Sequence, residues 1–335
     1  MQRYRFHGLG LEVRPAELEA RAQLPRLWAD LSWDRSRGAD DVQPVRCLSL
    51  NLHDEPLSLP PTLRHAFTTS SFSGFDDDDG FFLSDRESVF HLRSTHLEGN
   101  AYLAPSFFAK SLTQQYAFWS FGVAKLLRSV GLYSLHAAGL VHTASEDAIL
   151  VIGASGSGKT TLTLDAIRYG WRYVSDDAVL LGGAEHTGGV AALGLRKHLY
   201  IDSDASARHD GFQFGADIAD DAGGNRRRVL LAEHESQRVG RCIPQLLLFP
   251  TIADRERSVL RPLSQASAFT ALLDASSEQL WDRQTMPQHL ATLKALVAQA
   301  PAFELQAGRD VYRDSSLVFR WLRERTPDRR LWCDS

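Results

Sequence analysis

The sequence predicts an α/β domain preceded by a β-rich leading region, and three observations carry that reading. Beyond about residue 132, apolar strand-like runs such as PQLLLFP and AFELQAG alternate with stretches of helical period. Residues 1–110 read instead as short alternating strands separated by turns. Between the two, the apolar run AILVIG leads directly into the glycine-rich GASGSGKTT and then into a helical stretch.

The chain has 335 residues, long enough for two cores, since one core stops growing at about 250–300 residues. Three parts are expected: a β-rich domain over 1–110, a connecting helix over 111–131 and a second domain over 132–330. Hydrophobic residues at 44% and charged residues at 23% match a globular protein. A formal net charge of -4 supplies no global field for nucleic acid or an anionic membrane, so neither is expected as a partner. Cys47, Cys242 and Cys333 form no CxxC pair and read as reduced thiols. The first residues lack an apolar signal core and no run reaches 18 apolar residues, so a cytoplasmic protein is expected.

Within the leading region, CLSLNLH alternates Leu48, Leu50 and Leu52, and SVFHLRSTHLEGNAYLA reads as a hairpin turning near Gly99 and Asn100. The acidic run Asp76, Asp77, Asp78 and Asp79 lacks the spaced ligands of a calcium loop and reads as a solvated turn. Leu112, Tyr116, Trp119, Val123, Leu126 and Val130 then draw one apolar stripe down a helix that Gly131 would cap. SLHAAGLVH and DAILVIG read as buried strands, and RYVSDDAVLL as another. Helices are expected near 161–169, 264–275, 288–299 and 314–324, the second opened by Pro262 and Ser264. Residues 203–228 show no periodicity and are expected to be a mobile surface loop.

Residues 153–160 fit G-x-x-x-x-G-K-[ST] in full, between a strand and a helix. In that setting the backbone curls so that successive N–H groups face phosphate oxygens, and the helix N-terminus adds its partial positive charge. The nucleotide-binding set is therefore Gly153, Ala154, Ser155, Gly156, Ser157, Gly158, Lys159, Thr160 and Thr161. Lys159 would reach the β and γ phosphates and Thr160 would ligate Mg²⁺, so ATP and Mg²⁺ are the expected cofactors. WRYVSDD then reads as the next strand of a β-α-β unit, parallel to the first. Its end would bring Asp176 and Asp177 to the phosphate loop. One carboxylate can hold Mg²⁺ and the other can accept the proton of an attacking hydroxyl.

LHAAGL followed by GASGSGKTTLTLDAIRYGWRYVSDDAV resembles the catalytic core of the HPr kinase/phosphorylase family, and GASGSGKTTL is similar to the kinase motif of phosphoenolpyruvate carboxykinases, which share that fold. The resemblance covers residues 134–181. It implies a P-loop kinase domain in which Lys159 and Thr160 are phosphate and metal ligands, Asp176 the base, Asp177 a Mg²⁺ partner and His136 a polar group near the transferred phosphoryl. The glycine-rich signature of the bifunctional enzymes is not found, and GLRKHLYIDSDASARH stands in its place, which speaks against phosphorolysis. The β-rich leading region looks more like the HPr kinase-like proteins that accompany peptide-modifying gene clusters, including kinases of lasso precursor peptides.

Arg196, Lys197 and His198, and Arg226, Arg227 and Arg228, are basic candidates for the γ phosphate or an acidic acceptor. The expected activity is transfer of a phosphoryl group to a hydroxyl, serine above all, of a peptide or protein. A P-loop ATPase or regulator and a small-molecule kinase of the same fold are the alternatives. The ATPase is disfavoured because Ala178, not a glutamate, follows Asp177. A homo-oligomer is allowed for, without a signal that requires one.

Overall fold

Apolar residues at every second position build one large sheet in the leading part of the chain. A computed structural model describes residues 2–7, 9–31, 34–35, 44–54, 57–78, 80–93, 98–183, 188–219, 224–230, 237–276 and 284–325. It is a mixed α/β structure with several sheets. Two units separate: Met1–Leu132 with Asp217–Arg226 and Trp281–Met286, and Tyr133–Ala216 with Arg227–Leu280 and Pro287–Ser335. No helix among the described residues is long and apolar enough to cross a membrane.

The first unit holds β1 (Gln2–Phe6), β2 (Leu9–Pro15), β3 (Asp34–Arg35), β4 (Pro44–Leu52), β5 (Arg64–Thr68), β6 (Ser73–Asp76), β7 (Gly80–Ser84), β8 (Val89–Arg93) and β9 (Glu98–Leu103). They form one sheet in the order β3-β1-β2-β4-β9-β8-β7-β6-β5. Helix α1 (Leu18–Leu27) was not expected, and α2 (Leu112–Arg128) was. Ser111 caps α2 through a reciprocal pair with Gln114, satisfying two N–H groups that the first turn leaves open. Residues 121–128 of α2 are buried all round, a wider contact than one stripe, while Leu112 is exposed. Trp119 meets Trp28 and Phe90 edge-on, with centroids 5.4 and 5.8 Å away.

Gly99 and Asn100 do not form a turn; they sit in β9 opposite Leu92 and His91, and the connection lies at 94–97, outside the described residues. Gly99 is there for packing, because a Cβ would fall 2.8 Å from Leu92 Cδ2. The acidic run does form a turn, in which Asp77 Oδ1 accepts from the Gly80 N–H and Arg64 pairs with Asp76 and Asp78. Asp79 and Cys333 lie outside the described residues.

From Tyr133 the chain forms β10 (Tyr133–Leu135), β11 (Ala137–Val141), β12 (Ala148–Ile152), α3 (Lys159–Arg168), β13 (Arg172–Ser175), β14 (Val179–Gly183) and β15 (Val190–Gly194). There follow β16 (Tyr200–Asp202), α4 (Ser203–Ser206), β17 (Gln213–Ala219), β18 (Asn225–Leu230), β19 (Arg241–Cys242), β20 (Pro244–Ile252) and β21 (Val259–Leu263). The chain continues through α5 (Gln265–Asp274), α6 (Met286–Gln299), β22 (Ala302–Ala307), α7 (Arg309–Arg313) and α8 (Ser316–Arg325). A six-stranded sheet runs β13-β11-β12-β20-β22-β21, a four-stranded one β10-β14-β15-β19 and a three-stranded one β16-β18-β17.

Every residue of β11 and β12 is buried, because the six-stranded sheet is covered on both faces. Alternate residues of β12 divide accordingly. Ile149 and Val151 join Leu164, Ile167 and Trp171 on one side, and Leu150 and Ile152 join Leu272, Leu293 and Leu296 on the other.

The run RYVSDDAVLL is not one strand: β13 and β14 belong to different sheets and Asp176, Asp177 and Ala178 bridge them. β13 is parallel to β12 in the same sheet, as expected, but β11 lies between them and is antiparallel to both. Residues 203–228 are not one loop, since they contain α4, β17 and the start of β18. Their period-two signal is weak because in β18 only Val229 is buried.

Gly194 ends β15 against the strand that leads to Asp176. A Cβ there would lie 2.2 Å from the Val174 carbonyl oxygen, whereas one on Gly183 meets nothing. Gly194→Ala is expected to cost about 1–3 kcal/mol by forcing β13 to move. Gly183→Ala should be near neutral, and chemical denaturation of the two variants checks the contrast.

Candidate active site

Strand directions decide which residues meet. β12, β20 and β22 are mutually parallel, and β13 shares their direction because both it and β12 are antiparallel to β11. Gly153 follows β12 and Asp176 follows β13 at one edge of the sheet. His136 precedes β11 at that same edge, since Ala137 is opposite Ile152. Three segments far apart in sequence thus end within reach of one another.

The loop between β12 and α3 takes left-handed backbone at Gly156 and Gly158, with φ of +79° and +96°, and space around both is open. Gly158 is the N-cap of α3, and no side chain caps the first N–H groups of the helix. Lys159 is buried. Its Nζ donates to the carbonyls of Gly153 (2.6 Å) and Ala154 (2.9 Å) and lies 2.9 Å from His136 Nε2. An ammonium on Nε2 makes that nitrogen the acceptor, which leaves the ring proton on Nδ1. Nδ1 is 3.4 Å from Asp177 Oδ1, in the right place to donate it.

The two aspartates occupy different surroundings. Thr160 Oγ1 donates to Asp176 Oδ2 at 3.0 Å, while Asp176 Oδ1 is buried with no hydrogen-bond partner. Burial, and then the neighbouring Asp177, push the Asp176 carboxyl up to about 6. Asp177 is half-exposed and pairs through Oδ2 with Arg196 Nη1 at 3.1 Å. Arg196 is itself buried, its guanidinium 4.3 Å from the Tyr200 ring centroid, and its backbone N–H and carbonyl both bond the Ser175 hydroxyl at 3.3 Å. The result is a continuous chain from Lys159 through His136 and Asp177 to Arg196.

The structure therefore gathers Gly153, Ala154, Ser155, Gly156, Ser157, Gly158, Lys159, Thr160, Asp176, Asp177 and His136 at one place, with Thr161 following in the first turn of α3. It sets Asp176, not Asp177, beside Thr160. Of the first basic group, Arg196 makes the contact with the aspartates. Arg227, of the second, bonds Ser206 on α4 at 3.4 Å. Ser175 and Tyr200, which fix Arg196, were not anticipated, and only their positions next to flagged residues could have drawn notice.

Such a site can take an anion on the loop amides and a cation beside Thr160 and the unsatisfied Asp176 oxygen. No group of three or more His, Cys, Asp or Glu side chains among the described residues could hold a metal by itself. A cation here would be shared with the anion. The remaining carboxylate, Asp177, is accessible to a hydroxyl.

No protein-family model matches the chain, and no curated protein does. Among solved structures, the HPr(Ser) kinase/phosphatase from Coxiella burnetii is similar at 13% sequence identity. That match covers 57% of this chain and 97% of the other, with a TM-score of 0.29. A likeness this slight says nothing about the chemistry of the present site, which rests on its own geometry.

A carboxyl raised to about 6 binds its proton more tightly in the folded than in the unfolded chain. Ionised Asp176 thus destabilises the fold above pH about 6, and that cost disappears as the pH falls through 6 towards 4. Asp176→Asn keeps an acceptor for Thr160 and removes the charge. Without ligands it should be more stable than the parent at pH 7.5, on the order of 2 kcal/mol, with the gap narrowing as the pH falls from 6 towards 4. Thermal unfolding across that range checks the sign.

Proposed function

We propose that this chain is an ATP- and Mg²⁺-dependent kinase of the HPr kinase and phosphoenolpyruvate carboxykinase type, transferring a phosphoryl group to a hydroxyl of a peptide or protein, serine above all, in the cytoplasm. The observation that carries the reading is the Thr160 to Asp176 hydrogen bond, which ties the first turn after a complete phosphate loop to a buried carboxylate with one oxygen unsatisfied. A hydroxyl and a carboxylate in that relation fit a magnesium ion shared with bound phosphates. Buried Ser157 Oγ, also without a hydrogen-bond partner, adds a second polar atom ready for a ligand.

Each residue then has a task. ATP with Mg²⁺, when bound, supplies the transferable γ-phosphoryl group. The loop amides and the N-terminus of α3 hold its phosphates. Lys159, whose ammonium bonds the loop carbonyls here, is the cation at hand for the β and γ phosphates. Thr160 and Asp176 hold the metal side. Asp177 accepts the proton of the attacking hydroxyl at one of its carboxylate oxygens, oriented by Arg196 and by His136 Nδ1–H. This exchanges the roles that the family resemblance gives the two aspartates, and burial is the reason: a general base must be met by the acceptor, and Asp177 is half-exposed whereas Asp176 is buried.

The ATPase alternative is less well supported, because Ala178, not a glutamate, follows Asp177.

Three variants test this. Lys159→Ala is expected to lose ATP binding with its fold intact. Asp176→Asn should weaken Mg²⁺-dependent ATP binding. Asp177→Asn should keep Mg-ATP affinity but lose transfer to a serine-bearing peptide by about a hundredfold or more. Calorimetry with Mg-ATP and a radiolabel transfer assay separate the two steps. Steady phosphate release with no labelled peptide or protein acceptor, unaffected by either aspartate variant, sinks the kinase reading.

A further inference from the structure

The sheet edge that carries the phosphate loop continues on its other side across β20 and β22. Parallel pairing carries the ends of β12, β20 and β22 along one edge in steps of about 5 Å. The phosphate loop starts against β20, since a Cβ on Gly153 would lie 3.5 Å from the Pro250 carbonyl oxygen. Just beyond, Ile252 ends β20 with 58% of its surface exposed, an unusual setting for an isoleucine in this part of the sheet.

Residues 253–258, which link β20 to β21, are held firmly. The Arg309 N–H donates to the Arg255 carbonyl (2.9 Å), the Asp310 N–H to the Glu256 carbonyl (3.1 Å) and the Ala253 N–H to the Ala307 carbonyl (2.8 Å). Asp310 accepts from the Ser258 N–H, and the Gly308 N–H donates to Ser258 Oγ at 2.7 Å. The backbone packs so closely that a Cβ on Gly308 would come within 2.7 Å of the Arg255 carbonyl oxygen.

On this fixed backbone acids and arginines alternate from Asp254 to Arg257. The acids are engaged: Asp254 and Glu256 both pair with Arg309, at 3.1 and 2.8 Å, and Glu256 also with Arg313 at 3.6 Å. Arg255 and Arg257 are exposed, and among the described residues neither guanidinium has an ion pair or hydrogen bond. Two arginines left unpaired beside acids next to them in sequence, on a firmly held loop that follows an exposed isoleucine, offer planar cationic and apolar faces to a ligand. A heteroaromatic base fits such a surface, because guanidinium stacks on π systems and isoleucine packs on a ring face.

We propose that Ile252, Arg255 and Arg257 form the nucleoside subsite, holding the base of the nucleotide whose phosphates the loop binds. The inference rests on the nucleotide reading above. Asp177, Arg196 and His136 occupy the β11 and β13 side of the loop and serve the hydroxyl, which leaves the β20 and β22 side for the nucleoside.

The test compares ATP with inorganic tripolyphosphate, which has the phosphates and no base, by calorimetry on the full chain with Mg²⁺. The Arg255→Ala, Arg257→Ala double variant should raise the Kd for ATP by about tenfold and leave that for tripolyphosphate unchanged. Unchanged tripolyphosphate binding also shows that the variant is folded. Lysine at both positions keeps the charge without the planar face and should remain weak for ATP. The proposal is overturned if ATP affinity does not change, if both ligands weaken together, or if lysine restores binding, since the arginines would then act through charge alone. Equal tripolyphosphate binding by the parent and Lys159→Ala is a different failure: it removes the phosphate loop reading and the subsite with it.

Discussion

A carboxylate taken out of water is the constraint on which this site depends. Asp176 is buried, accepts one hydrogen bond from Thr160 and leaves its other oxygen unsatisfied. Burial of an ionised carboxylate without full compensation costs several kcal/mol, and proteins avoid it where nothing requires it. The protein keeps it at the end of β13, where Lys159 and Arg196 offset only part of the penalty. An arrangement that is poor for the free protein becomes favourable once a cation stands beside it. Uncompensated burial of this kind is a cost to folding that a bound cation would relieve.

What brings Asp176 there is an antiparallel strand placed between two parallel ones. β11 pairs with both β12 and β13, so the glycine-rich loop and the aspartates leave the sheet at the same edge without their strands touching. The same insertion brings the start of β11, and with it His136, between them. His136 is thus in the site because of topology, and its backbone N–H is fixed separately by the Ala275 carbonyl at 3.2 Å. A direct β12 to β13 pairing would leave no strand start at that point and no histidine to connect Lys159 with Asp177.

The tight loop between β12 and α3 was legible in the sequence because its backbone demands glycine where φ is positive, at Gly156 and Gly158. The nearness of the aspartates was legible too, because one short helix separates two strand ends. Their different surroundings were not. Adjacent residues leaving a strand face opposite ways, and which of them is buried beside Thr160 of α3 is a tertiary contact that no local pattern records. Elsewhere the errors have similar causes. Gly99 reads as a turn residue but fills a strand position where Leu92 leaves no room for a side chain. β18 reads as loop because five of its six residues are not fully buried and three are arginines. α1 is obscured by Pro25 within it.

The choice of arginine at position 196 follows from the same geometry. Its guanidinium must meet Asp177 Oδ2 with one edge while presenting a face to Tyr200, and its backbone is already fixed by Ser175. A planar fork does both at once, whereas an ammonium would reach the carboxylate as a point charge and leave the ring without a partner. Held on one side by Arg196 and on the other by His136, Asp177 has few rotamers left, so little side-chain entropy remains to be lost there. The buried aspartate and the clasped one are thus both held by the protein's own contacts, Asp176 by Thr160 and Asp177 by Arg196 and His136.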